Sequence, residues 1–72
     1  MISDHKEEYK KIAAKLRAAR MARGLNQGKV AHKIDKSQSY VSKVESGKIF
    51  IGAVELDMLA KIYQKPIEYF LS

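Results

Sequence analysis

The sequence predicts an all-α fold of five short helices packed as one compact domain over residues 1–72. Three observations carry this. Apolar residues recur at three- and four-residue spacings along most of the chain, the mark of helices with one buried face. Capping and turn residues interrupt the pattern at Gly24, at Asp35-Lys36-Ser37, at Gly47 and at Gln64-Lys65-Pro66. No run alternates apolar and polar residues as a half-buried strand does.

The first helix is expected from about Ser3 or Asp4, both candidate N-caps, to about Arg23. Asp4 and Glu7 have the spacing of a capping box, and Asp4, Glu7 and Glu8 suit the positive end of a helix dipole. Gly24 fits the left-handed position that stops a helix. Tyr9, Ile12, Ala13 and Leu16 make the buried stripe, continued by Ala19 or Arg20. The rest of KKIAAKLRAAR reads as a charged scaffold face, with Arg17 and Arg23 as candidates for contact with a polyanionic backbone.

The stretch Gln27 to Ser46 reads as two amphipathic helices joined by a tight turn, and the rest of the chain is organised around it. Leu25 is expected to plug the core and Asn26 to cap the second helix. Val30, Ala31 and Ile34 form its stripe, with Ala31 small enough for a close helix crossing. Gly28 weakens this helix by up to about 1 kcal/mol relative to Ala. His32 faces away from the stripe and reads as a surface residue, because no cluster of metal ligands accompanies it. Asp35 tolerates the left-handed backbone that a sharp turn needs, and Ser37 is a good cap for the third helix. Val41 and Val44 bury that helix. Its outer face is left to Gln38, Ser39, Ser42 and Lys43. Such hydrogen-bonding side chains suit base edges in a major groove: Gln38 can pair with adenine N6/N7, and Lys43 with guanine O6/N7 or a phosphate.

The ungapped segment LNQGKVAHKIDKSQSYVSKVESGK, Leu25 to Lys48, resembles the helix-turn-helix of the Cro/cI-type, XRE-like repressor family. The likeness lies in the Gln that opens the first helix of the motif, the small Ala31, the apolar offsets and the Glu-Ser-Gly ending. With the flanking helices it extends over roughly Ala13 to Leu71. Asp35 stands where the family usually has Gly, and Lys36 where it often has an apolar residue. The resemblance implies a five-helix, lambda-repressor-like DNA-binding domain with the motif at 27–46. It implies that Gln38, Ser39 and Lys43 read bases, with Ser42 on the same face. Gln27 would contact the DNA backbone and brace the first reader. It further implies an Arg20–Glu45 ion pair tying the first helix to the third. Lys48, just past the third helix, reads as a phosphate clamp. Tyr40 is open between packing and a phosphate or thymine contact.

A fourth helix is expected after Gly52, with Leu56, Leu59, Ala60 and Tyr63 as its stripe and Met58 and Ile62 beside it. Pro66 suits the first position of a last short helix, PIEYFL. Ile67, Phe70 and Leu71 are candidates to pack inward. The C-terminal cluster nevertheless exceeds what one core face needs. Tyr63, Ile67, Tyr69 and Phe70, with the apolar loop Ile49-Phe50-Ile51, are therefore the candidate surface of a homodimer.

Composition narrows the function further. A 72-residue chain commits most of its apolar residues to its own core and leaves no room for a deep substrate cavity. There is no Cys, hence no disulfide and no thiolate chemistry. No paired carboxylates, oriented nucleophile, metal cluster or phosphate loop is present, so neither enzyme, metal nor cofactor is expected. No membrane span or signal peptide is evident, and a cytoplasmic location, on the nucleoid when DNA-bound, is expected. The net charge of +6 is uneven. Residues 1–23 carry seven basic and three acidic groups, residues 24–48 five and two, and residues 49–72 two and three. The positive excess thus travels with the motif and favours a polyanion. The reading is a sequence-specific transcriptional regulator, a repressor by its family, that binds a palindromic operator in double-stranded DNA as a homodimer, with no attached sensor domain. The alternative is a protein-interaction module, such as an antitoxin, on the same fold.

Overall fold

The computed structural model describes residues 6–72. Five helices follow one another: α1 Lys6–Ala22, α2 Gln27–Lys33, α3 Gln38–Glu45, α4 Ala53–Tyr63 and α5 Ile67–Leu71. No strand occurs among the described residues. The candidate caps Ser3 and Asp4, and with them the capping box to Glu7, lie outside the described residues.

The core draws on every helix. Leu16 and Ala19 come from α1, Val30 and Ala31 from α2 with Ile34 at its end, and Val41 and Val44 from α3. Leu56, Leu59, Ala60 and Tyr63 come from α4, and Phe70 from α5. Full burial of an aliphatic or aromatic side chain stabilises by about 1.5–3 kcal/mol. Helices as short as α2 and α3 depend on that term, because isolated helices of this length are unstable in water. Ala31 is fully buried where α2 meets α3, and Leu25 fills the edge of the same core.

The first four helices end in the same way. Each is followed by a residue with positive φ: Gly24 (69°), Asp35 (59°), Gly47 (78°) and Gln64 (58°). Each time the next residue's N–H returns to a carbonyl five positions back: Leu25 to Arg20, Lys36 to Ala31, Lys48 to Lys43 and Lys65 to Ala60. This is the Schellman closure, which satisfies carbonyls left open by the helix end. Asp35 therefore takes the left-handed backbone expected of it. The helix starts are equally local. Asn26 Oδ1 accepts from Lys29 N at 2.8 Å, and Ser37 Oγ from Tyr40 N at 3.1 Å.

The C-terminal region departs from expectation. Tyr63 and Phe70, which the sequence offers both to the core and to a dimer surface, are 2% and 1% exposed and belong to the core, so they are withdrawn from the dimer surface. Their rings fill the space behind the motif that short aliphatic residues leave open. Leu71, a candidate to pack inward, is 59% exposed instead. Five residues of helix bring Ile67 and Phe70, three apart, to one side and turn Leu71 outward. Pro66 is the cap residue rather than the first helical one, with ψ of 148°. Phe50 is exposed from the 49–51 loop, and its ring stacks on Tyr9 of α1 at 3.5 Å between centroids.

The left-handed cost falls on two residues with side chains. Asp35→Gly and Gln64→Gly are each predicted to raise stability by up to about 1 kcal/mol in thermal melts, with the larger gain at Gln64. A lower melting temperature for either variant contradicts this reading of the helix ends.

Candidate nucleic-acid interface

Burial of Val41 and Val44 fixes the rotation of α3 about its axis. Gln38, Ser39, Ser42 and Lys43 then all lie on the exposed side. Lys48 is exposed just beyond the closing turn. Tyr40 is half-buried against the core, with Lys36 Nζ 5.3 Å from its ring centroid. Its body is thus committed to packing. Gly28 borders the reading face: a Cβ there would stand 3.5 Å from Asn26 Oδ1 and 3.9 Å from Gln38 Oε1.

The position of α3 is held from behind by a network of charge. Arg20 Nε donates to Glu45 Oε2 at 2.7 Å, and Arg20 Nη2 to Glu45 Oε1 at 3.0 Å. Arg20 Nη1 donates to the Leu25 carbonyl at 2.9 Å. One guanidinium thus joins α1, the α1–α2 loop and the end of α3. The two side chains are 11% and 4% exposed, so water screens them little. The bond to Glu45 raises the Arg20 pKa further, against the opposing effect of burial. Tyr63 lies close enough to feel both charges. Burial, and then the Glu45 carboxylate, push its phenol well above the ordinary tyrosine range, with Arg20 opposing. The Tyr63 hydroxyl itself has no hydrogen-bond partner.

The Gln27 side chain turns back into the protein. Its Nε2 donates to Glu45 Oε1 at 3.0 Å. The side chain opening α2 is therefore fastened to the last residue of α3. One amide hydrogen of Gln27 is used inside the protein, and the other can reach an external acceptor. A polar residue in a first helical turn carries no signal that it will turn inward, so composition and spacing could not reveal this bond. The Lys36–Glu55 pair, at 3.7 Å, was equally hidden. It links the turn of the motif to the first turn of α4.

The remaining chemistry is sparse. Among the described residues no group of three His, Cys, Asp or Glu side chains is placed to hold a metal ion. None of the described helices is long and apolar enough to cross a membrane.

Two short helices in this arrangement, with a polar outer face and a locked rear, define a helix-turn-helix DNA-binding domain. The family model described as "Helix-turn-helix" matches residues 16–70, and the chain belongs to that family. The restriction-modification controller protein C.AhdI from Aeromonas hydrophila has a similar structure, with a TM-score of 0.85 and 29% identity. The alignment covers 94% of this chain and 99% of that one. The clp gene regulator ClgR from C. glutamicum shares the fold, with a TM-score of 0.81 and 20% identity over 89% of this chain and 83% of that one. Comparison with curated proteins finds no match. The protein is a DNA-binding transcriptional regulator of the XRE-type helix-turn-helix class, and not an enzyme.

Removing one member of the Arg20–Glu45 pair strands the other charge. Glu45→Ala is predicted to cost about 3–5 kcal/mol, and Glu68→Ala, on the exposed side of α5, close to nothing. Equal shifts of melting temperature for the two variants contradict a structural role for the pair.

Proposed function

We propose that the protein binds a two-fold-symmetric operator as a homodimer and reads each half-site with the Gln38, Ser39, Ser42 and Lys43 face of α3. The observation that carries this is the joint exposure of those four side chains on a helix whose rear is locked by Arg20, Glu45 and Gln27. Gln38 is the adenine reader and Lys43 the guanine reader. Ser39 and Ser42 make short or water-mediated contacts. Lys48, the free amide hydrogen of Gln27 and the hydroxyl of Tyr40 hold phosphates and set register. The site of action is nucleoid DNA in the cytoplasm.

The dimer reading is supported by an apolar face built from α1, α4, α5 and the 49–51 loop. A shallow groove of about 470 Å³ runs between α1, α4 and α5, lined by Tyr9, Ile12, Ile51, Leu56, Ile67 and Leu71 among others. Val54 and Phe50, 68% and 57% exposed, extend the apolar surface of this region. Of the four C-terminal residues in the sequence-based dimer assignment, Ile67 and Tyr69 retain exposure, as does Phe50 of the 49–51 loop. The occupant we propose is a second copy of the chain. Glu8 is the one charged residue lining the groove, so two such faces meet without the repulsion that a basic surface would bring. A two-fold axis here would set the recognition helices about 34–36 Å apart, one turn of DNA. The resemblance to a restriction-modification controller fits a small regulator of this kind. An antitoxin-like partner on the same apolar face is the competing occupant.

Selection from random duplexes is predicted to enrich a palindromic consensus with a steep loss of affinity in salt. On that operator Gln38→Ala relaxes one base position at about 1–3 kcal/mol, and Lys48→Ala weakens all sequences alike. Failure to enrich any sequence, with Gln38→Ala silent, favours the interaction-module reading. Sedimentation over a range of concentrations is expected to show a monomer–dimer equilibrium that Leu71→Glu shifts to monomer. A wild-type chain that stays monomeric off and on DNA contradicts the dimer.

A further inference from the structure

Beside the reading face lies a cleft of about 320 Å³, lined by Arg17, Gln27, Ser42, Glu45 and Ser46. We infer that this cleft is a phosphate seat for the DNA strand flanking the groove, and that Arg17 of α1 is its principal cation. The inference rests on the DNA reading above and extends the interface to a helix outside the motif.

The geometry brings three elements to one point. Arg17 stands one turn before Arg20 on α1, which places the two on neighbouring parts of the helix surface. Their environments differ. Arg20 is mostly buried and satisfied by Glu45 and the Leu25 carbonyl. Arg17 is exposed and has neither an ion pair nor a hydrogen bond within the described structure. Ser42 enters the cleft from α3 and belongs to the exposed face that bears the base readers. Gln27 enters from the start of α2, with one amide hydrogen left after its bond to Glu45. Ser46 directs its hydroxyl to the Lys43 carbonyl and so supplies wall rather than a donor.

Charge decides what the cleft takes. Glu45 is the one carboxylate among its lining residues, and Arg20 already grips both of its oxygens. The free charge at the mouth is therefore that of Arg17. The lining residues Arg17, Ser42 and Gln27 carry a guanidinium, a hydroxyl and an amide N–H, a donor set that suits a tetrahedral oxyanion with several acceptor oxygens. The shared wall at Ser42 makes the backbone phosphate beside the read bases the oxyanion in reach. The Arg20–Glu45 pair has a second consequence here. It positions α3 and also cancels the carboxylate that would otherwise repel a phosphate from this cleft.

The test uses the operator enriched by selection, together with a random duplex. Binding is measured over a range of salt for the wild type, Arg17→Ala, Arg17→Lys and Lys61→Ala, the last at an exposed lysine of α4. Arg17→Ala is expected to lower the log–log salt slope by about 0.9, the share of one phosphate, on both duplexes. Its base preferences and melting temperature are expected to stay unchanged. Arg17→Lys is expected to retain the slope, and Lys61→Ala to leave it intact. A scan of single methylphosphonate substitutions then locates the partner: one position weakens the wild type but not Arg17→Ala. A wild-type slope and affinity in Arg17→Ala overturn the phosphate seat while leaving the DNA reading standing. Failure of the wild-type chain to bind any duplex overturns both.

Discussion

The fork of Arg20 on Glu45 is the interaction on which the arrangement depends. A helix of eight residues has no stability of its own, and two buried valines set its rotation but not its position along its axis. The guanidinium supplies that restraint. It grips the last residue of α3 by two bonds and the loop ahead of α2 by a third. Gln27 adds a fourth from the first residue of α2. The two helices of the motif are thus fastened at opposite ends to one carboxylate. Such a device is costly to break from one side, because removing either charge strands the other away from water.

Behind that network the apolar core performs the ordinary work of a small domain. Tyr63 and Phe70, its two largest fully buried side chains, come from outside the motif. They back the helices that face DNA. Tyr63 also brings a phenol beneath the charged pair, and its hydroxyl has no protein partner. The four Schellman closures keep the connections short, so little freedom remains between one helix and the next. Two of the four left-handed positions are filled by Asp and Gln rather than Gly, so the fold carries some backbone cost at its turns.

Most of this fold is legible in the sequence, for a physical reason. Its helix starts and stops are local chemistry, and Asn26, Ser37, Gly24, Asp35 and Gly47 do within the fold what their side chains or backbones favour. The buried stripes follow from spacing alone. Legibility fails where a residue's fate depends on distant partners. Nothing local marks Gln27 as turned toward Glu45, or Lys36 as reaching Glu55. The C-terminal helix shows the same limit. IEYFL is apolar nearly all round, so its sequence does not say which residues face inward, and of the inward candidates Phe70 is buried while Leu71 is exposed. Arg17 is the opposite case. Its sequence context is that of a solvated scaffold helix in which Arg17 and Arg23 are equal candidates for a polyanionic backbone, and the cleft shared with Ser42 and Gln27 separates Arg17 from Arg23.

The central claim is that the outer face of α3, held from behind, is what meets DNA. Amide chemical-shift mapping of the labelled protein with its selected duplex tests it most directly. The account predicts the largest changes at Gln38 to Lys43, with further changes at Gln27 and Lys48. Changes confined to Val54, Ile67 and Leu71, with α3 undisturbed, would contradict it.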